Sequence, residues 1–429
     1  MNQPLPRRRF LAQSAQAGFA LSTIAVPAFL RAGAAPNARI RIGIMGVNGR
    51  GSDLAAGFSA LDGAEVAYVC DVDERAIAKG IHAISSKQST QPKTVEDFRR
   101  ILDDKEVDAL AVAAPDHWHG PATILAVNAG KHVYVEKPVC HNPQEGEWMV
   151  AAARKHGRVV QAGTQRRSMP AVVEAIQRVR TGAIGTVRLS RGWYTNKRGS
   201  IGKGKPAPVP AWLDYTLWQG PAAERPFRDN LIHYNWHWFW HWGTGELGNN
   251  GIHALDLCRW GLGVNCPQHV TAGGGRYHYA DDQETPDTLE VTYDFGDKII
   301  IWEGRSCLPR PLEGSSFGAA FYGDQGTLVI EGSSYRIFDA QDHEIAHATG
   351  PGDDRPHLQN FLDCVHSGAK PNADIAEGHQ STLLCHLGNI AWRAGGALSL
   401  DPQRQRIVGN SKAAALWHRE YRAGWQPRV

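Results

Sequence analysis

The 429-residue chain is poor in cysteine, with seven, and an odd, sparse set of that kind cannot staple a small disulfide scaffold. It also lacks a charge bias: 46 Lys and Arg face 43 Asp and Glu, leaving +3. Even that excess is local. Residues 1–34 hold Arg7, Arg8, Arg9 and Arg31 and no acid, so the remainder carries 3 − 4 = −1. A near-neutral body of this kind advertises neither nucleic acid nor an anionic membrane as a partner. Internal repeats and long low-complexity tracts are missing, which excludes a repeat architecture, and beyond Ala15–Leu30 no apolar run approaches membrane-spanning length. With 42% apolar residues, intrinsic disorder is excluded too, and the length suits two domains.

What is present begins with a targeting pattern. Residues 1–34 combine a basic stretch, the apolar run Ala15–Leu30 and the small-residue segment Ala32-Gly33-Ala34, as in a cleaved export signal. The stretch Pro6-Arg7-Arg8-Arg9-Phe10-Leu11 is similar to the twin-arginine signature, whose pathway carries proteins already folded, often around a cofactor. Ser22, Thr23 and Pro27 interrupt the apolar run, which is short for a span. The expectation is a periplasmic protein with no membrane in its mature form, folded from residue 35 onward.

Strands predicted at 39–45, 64–71, 108–114, 131–136 and 158–163 alternate with helices at 52–61, 95–102, 121–129 and 144–156. That alternation is the βαβ pattern of a parallel sheet, and the near-continuous apolarity of the strands fits a sheet covered on both faces. Afterwards a helix at 171–181 and strands at 185–194, 268–273, 287–295, 298–302, 317–322 and 326–330 read as an α+β domain, closed by helices at 358–366 and 377–393. The predicted class is α/β, with a dinucleotide-binding Rossmann domain at 35–165 and a substrate domain at 166–429. Lys197, Arg198, Lys203 and Lys205 lie in a Gly- and Pro-rich stretch and read as a solvated loop.

The first strand runs into Gly46-Val47-Asn48-Gly49-Arg50-Gly51 and then a helix, where a dinucleotide fold needs glycines for a tight turn and for close approach of the pyrophosphate. Asn48 takes the place of the middle glycine and is a residue that tolerates positive φ. Asp71 ends the second strand 71 − 51 = 20 residues later, where a carboxylate takes the ribose hydroxyls and repels a 2′-phosphate, so the expected cofactor is NAD. Pro115 and His119, after the strand ending at 114, and Glu136 and Lys137, after the strand at 131–136, point to the same crevice.

With KHVYVEKP at 131–138 behind the A-x-P-D-H-W-H segment, GTQRR at 163–167, Gly243-Thr244-Gly245 and Gly251-Ile252-His253-Ala254-Leu255-Asp256, the chain resembles the Gfo/Idh/MocA oxidoreductases. These are relatives of glucose-fructose oxidoreductase and inositol dehydrogenase. The resemblance covers most of the chain past the signal. It implies a second domain built on a large open, mainly antiparallel sheet that mediates a homodimer or homotetramer. It also implies that Lys137 lies beside the nicotinamide and the bound hydroxyl, with a Lys137–Pro138 bond that is often cis, and that His253 is the acid–base histidine. Where that pattern has aspartate this chain has Asn249, which can orient a hydroxyl or an imidazole but cannot accept a proton.

His233 to Trp242 concentrates aromatics and imidazoles in a composition suited to stacking on sugar rings while bonding their hydroxyls. Predicted substrate contacts are Arg166, Trp193, His233, Trp236 and His237, with Arg167 and Tyr194 bordering the cleft. Histidines 233, 237 and 241 have zinc-like i, i+4 spacing, but tryptophan at every second position from 236 to 242 reads as extended chain, and no carboxylate or cysteine completes a ligand set. No metal is expected. Three functions remain open: an NAD-dependent oxidoreductase acting on a hydroxyl of a sugar, sugar derivative or cyclitol; a glycosidase that retains NAD, oxidising, eliminating and re-reducing its substrate; and a non-catalytic sugar-binding protein, against which Lys137 and His253 both argue.

Overall fold

The computed structural model describes residues 39–429, so the export signal predicted at 1–34 lies outside the described residues. The first part alternates as β1 (Ile40–Met45), α1 (Arg50–Ser59), β2 (Ala64–Cys70), α2 (Glu74–Ile84), β3 (Lys93–Val95), α3 (Arg99–Asp103), β4 (Ala109–Val112), α4 (Asp116–Asn128), β5 (His132–Val135), α5 (Pro143–His156) and β6 (Val160–Ala162). All six strands are parallel, in the order β3-β2-β1-β4-β5-β6. Chain direction across the sheet reverses between β1 and β4, which is where such a sheet opens its ligand crevice.

Three local departures from expectation have physical causes. Helix α2 has a weak apolar signal, burying Ala76, Gly80 and Ile84 on one face, but Asp73 caps it by accepting from the Arg75 N–H. The helix predicted at 95–102 divides into the end of β3 and the short α3, because Val95 pairs with Cys70 in the sheet. Helix α4 starts at Asp116 instead of 121 and holds Pro121 in its interior. Pro121 has no N–H to give the His117 carbonyl four residues back. Arg419 Nη2 donates to that oxygen instead, at 2.6 Å.

The second part comprises α6 (Pro170–Arg180), β7 (Val187–Thr195), α7 (Tyr215–Gln219), α8 (Ile252–Leu262), β8 (His269–Gly275), β9 (Thr288–Asp294), β10 (Ile299–Arg305), β11 (Phe317–Gly323), β12 (Gly326–Glu331), β13 (Ser334–Asp339), β14 (Glu344–Thr349), α9 (Arg355–Ser367), α10 (Ile375–Arg393), β15 (Ala397–Asp401), β16 (Arg406–Val408) and α11 (Ser411–Ala415). Ten strands form one sheet, β14-β13-β12-β11-β7-β10-β9-β8-β15-β16, in which β7 and β10 run parallel and the other neighbours antiparallel. Helices α6, α8 and α10 bury one face through residues such as Ile176, Leu255 and Leu384, packed on Val291, Tyr293 and Trp302. The opposite face carries polar residues, among them Glu290, Glu303 and Arg305.

The chain does not divide cleanly at 165. Leu358, Phe361 and Leu362 of α9 join Leu54, Phe58 and Tyr134 in the core of the first part, with Phe58 and Phe361 6.0 Å apart edge to face. The apolar face of α1 finds in α9 the cover that the first 165 residues do not supply. Among the described residues no helix is long and apolar enough to cross a membrane.

Candidate active site

A cavity of about 460 Å³ opens over the carboxyl ends of β1, β2, β4 and β5. Its floor is the turn after β1. Gly46 has φ +85°, and a Cβ there would meet Ala114 N at 2.6 Å; a Cβ on Gly51 would lie 1.7 Å from the Gly46 carbonyl oxygen. Both positions therefore require glycine. Gly49 faces open space instead. Asn48 does not adopt positive φ, so the tolerance invoked for it goes unused. Its Oδ1 accepts from Lys79 Nζ at 2.7 Å and ties the turn to α2.

The remaining groups of this end are placed by the same strand ends. Asp71 Oδ2 accepts from the Val47 N–H at 2.7 Å, and Oδ1 from the Asp73 N–H at 3.0 Å. Burial raises its pKa and these two N–H groups oppose the rise. Arg50 Nε donates to Glu136 Oε1 at 2.7 Å, Nη1 pairs with Asp354, and Nη2 is buried without a protein partner. An open cradle at Gly49, a helix N-terminus, an orphaned guanidinium nitrogen and a carboxylate on the cleft wall fit a dinucleotide. When NAD is bound, the 46–51 turn and Arg50 would hold the pyrophosphate and Asp71 the ribose hydroxyls.

At the other end stands Lys137, whose bond to Pro138 is cis. Lys137 Nζ donates to Asn249 twice, to the backbone oxygen at 2.9 Å and to Oδ1 at 3.2 Å. Asn249 can offer both because it sits in the π-helical turn Leu247–Gly251 ahead of α8. It thus orients Lys137, where the sequence suggested a hydroxyl or an imidazole. Burial lowers the Lys137 pKa, against the pull of Glu136 and Asp116. A neutral amine has two N–H groups and one lone pair; Asn249 occupies the first two and leaves the third free. Aspartate at 249 would add a negative charge and raise that pKa; the amide does not.

His253 stands in the first turn of α8 with Nδ1 buried and unpartnered; burial first, and then the fields of Arg166 and Lys137, hold its pKa well below the imidazole range. Arg166 follows β6, its guanidinium 4.3 Å over the Phe317 ring, and burial lowers its pKa to about 10. His119 faces the Pro138 and Ala114 carbonyl oxygens at 2.6 and 2.7 Å, and Thr244 donates to Asp116 at 2.6 Å.

The facing wall is residues 212–242, laid over the crevice from the second part of the chain. Leu213 bridges Asp73, Glu74 N–H donates to Trp212 O, and Asp214 N–H to Val72 O. The segment has its own small core of Leu213, Tyr215, Trp218, Phe227, Phe239 and Trp242. Leu217, Trp218, His233, Tyr234, Trp236 and His237 line the cavity. His233 lines the cavity with Nε2 2.8 Å from Asp73 Oδ2, at the end of the cleft near Asp71. His237 stacks on Trp236 at 3.6 Å and bonds Tyr234 O through Nδ1 at 2.6 Å; burial lowers its pKa to about 3. His241 turns to Ala223 O. Residues 235–238 form a 3-10 turn, not the expected extended chain, so the three imidazoles diverge to separate partners.

Two predicted contacts are displaced. Trp193 is fully buried on the far face of the large sheet with Ala320 and Val329, its indole N–H on Ser315 O. Strand alternation puts neighbouring Tyr194 on the cleft side, where its hydroxyl accepts from Asn196 and Arg198, so both residues could not border one cleft. Arg167 is spent on Asp256, which it meets at 2.8–3.0 Å in a buried pair. Sequence reasoning missed Asp73, Trp218 and Asp354; only Asp73 had a local signal, as a cap before α2.

Residues 417–425 strap this assembly. Arg419 and Tyr421 both donate to the fully buried Glu145, at 2.9 and 2.8 Å, and Trp425 packs edge-on against Trp118 at 5.2 Å. Trp118 in turn donates to Trp218 O at 3.0 Å.

The fold and the cleft define a two-domain oxidoreductase that binds a dinucleotide. Residues 40–164 match the NAD-binding Rossmann fold, and residues 186–427 the C-terminal alpha/beta domain, of the Gfo/Idh/MocA oxidoreductase family, and the chain belongs to that family. It is similar to inositol 2-dehydrogenase of Salmonella typhimurium, 29% identical over 159 residues, which are 37% of this chain and 46% of that protein. It is also similar to a glycosyl hydrolase family 109 protein of Shewanella sp. (strain ANA-3), 33% identical over 110 residues, 25% of this chain and 24% of that one. The matches thus span at most about half the length of these curated relatives. A levoglucosan dehydrogenase solved with NADH and levoglucosan shares the fold, with TM-score 0.67, 17% identity and coverage of 84% of this chain and 99% of that one.

Proposed function

We propose that the protein is an NAD-dependent oxidoreductase acting on one hydroxyl of a sugar, sugar derivative or cyclitol. The observation that carries this is Lys137, which lines the cleft with Nζ donating to both the backbone and side-chain oxygens of Asn249; once deprotonated, it would have its lone pair left for a substrate proton. Bound NAD supplies the acceptor for the hydride leaving the carbinol carbon. Lys137 takes the hydroxyl proton in the same step, Asn249 fixes the lysine, and His253, uncharged, holds the oxygen or its neighbour. Trp236, His237 and Trp218 keep water from the reacting atoms. Asp71 favours NAD over NADP, because a 2′-phosphate beside a buried carboxylate is repelled. The relatives named inositol 2-dehydrogenase and levoglucosan dehydrogenase support the substrate class. Incubation with free sugars and NAD should give lasting nicotinamide absorbance, and a panel with none would overturn the reading.

The second reading, a glycosidase that retains NAD, is favoured by the wall at 212–242 that lines the cofactor crevice, and by the similarity to a glycosyl hydrolase family 109 protein. It expects release of the aglycone from an aryl glycoside with no net NADH, and NAD co-purifying with the protein by mass spectrometry. We further propose export through the twin-arginine pathway to the periplasm; replacing Arg7 and Arg8 together by Lys should hold precursor in the cytoplasm. The polar open face of the ten-stranded sheet would pair copies into a dimer or tetramer, which light scattering after size exclusion tests.

A further inference from the structure

Buried arginines in this molecule come with a carboxylate. Arg50 has Glu136 at 2.7 Å, Arg167 has Asp256 at 2.8 Å, and Arg198 has Glu246 at 2.6 Å. Arg166 makes no ion pair or hydrogen bond with any described residue: it lies over Phe317, its Nε is buried and unpartnered, and Asp354, whose field reaches it, is already paired with Arg50. Stacking covers a guanidinium's face and leaves its N–H edge to bind. Arg166 follows β6 at the carboxyl edge of the parallel sheet, one strand over from the β5 end that carries Lys137, while Phe317 opens β11 and His253 stands in the first turn of α8. Arg166 and His253 thus both pack on the Phe317 ring, at 4.3 and 6.4 Å, so the guanidinium lies near a second orphaned group, His253 Nδ1, and directly follows Gln165, which lines the cavity.

We propose that Arg166 binds a carboxylate of the substrate, so that the sugar oxidised at Lys137 is a uronic acid or a glycoside of one; this rests on the sugar-hydroxyl reading above. An unpaired cation in a covered site is costly, and a carboxylate matches the guanidinium fork with two parallel hydrogen bonds, where a sugar hydroxyl offers one and no charge. The nicotinamide cation adds a further positive charge at this end, which strengthens the demand for an anion.

The probes are methyl β-D-glucuronide and methyl β-D-glucoside, with their galacto epimers, on the NAD-loaded protein. In each pair the uronide should react about ten- to a hundredfold better in kcat/KM, through KM, and Arg166→Gln should bring the ratio close to one while Arg166→Lys keeps part of it. Calorimetric titration of the NADH-loaded protein reads the same preference without turnover. Arg166-dependent uronide binding with no hydride transfer would sink the oxidoreductase reading and leave this one standing. Equal binding of the neutral glycosides, or an acid preference that Arg166→Gln leaves intact, overturns it. So does a loss of NAD affinity in Arg166→Gln, which would assign the guanidinium to the cofactor's phosphates.

Discussion

One wall of the cleft is main chain held by a sheet. Gly46, Asp71 and the pair Glu136–Lys137 stand at the ends of three strands of one parallel sheet, β1, β2 and β5, so their spacing follows from strand separation. The opposite wall, residues 212–242, has no sheet to hold it. It rests on a cluster of aromatic rings, one bridge to Asp73 and a strap from residues 417–425. The first wall carries groups whose chemistry demands a fixed position, and the second carries surfaces whose task is to cover. Changes to the two walls should therefore show in different measurements.

The largest effect belongs to the first wall. Lys137→Ala should lower turnover by about 10² to 10⁴ and leave NAD affinity at its wild-type value by titration, because the lysine is not part of the phosphate turn. A matching loss of affinity would erase the distinction between the wall's two ends. Asp71→Ala should weaken NAD by about ten- to a hundredfold and abolish the preference over NADP, with turnover recovered at saturating cofactor. Calorimetry with both cofactors checks this, and an unchanged preference breaks it. The pH profile sharpens the picture. Lys137 is a base only when deprotonated, and its pKa lies below the ordinary lysine range. The rate should therefore fall about tenfold per unit as pH drops below that pKa, while Lys137→Arg, which stays protonated, should be inactive throughout. A flat profile would remove the lysine from proton transfer. The smallest effect is on the second wall: Tyr421→Phe deletes one hydrogen bond to Glu145 and should cost about 1 kcal/mol in urea unfolding with no change in turnover at saturating cofactor.

The two walls also differ in how far they were legible in the sequence. Glycines at 46 and 51, an acid twenty residues on, and the Glu-Lys-Pro at 136–138 are required by geometry within a few residues, so they stand out as motifs. Lys137 lines the cavity beside Asn249, whereas His253 is in the first turn of α8 and is not among the lining residues. Asn249 was recognised as a site residue but given the wrong partner, because a π-turn that turns its carbonyl toward Lys137 leaves no mark in composition. His233 was read with the substrate because its neighbours are aromatic, whereas its place beside Asp73 depends on a contact across 160 positions. Trp193 shows the reverse case: period-two alternation already placed it and Tyr194 on opposite faces, and only the face was unknown. Strands β13 to β16 escaped because they lie toward the sheet's edges with at most two buried residues each, so their apolar signal is diluted.

Pro121 leaves the His117 carbonyl without a helical donor, and the donor that replaces it, Arg419, comes 302 positions later. The order of synthesis is therefore not the order of use. The strands and glycine turn of the crevice are synthesised before residue 419, when the helix beside them still has a gap in its ladder. The gap closes only once residue 419 is in place. Helix α4, which borders the dinucleotide crevice, is therefore completed by a side chain made some three hundred residues after it.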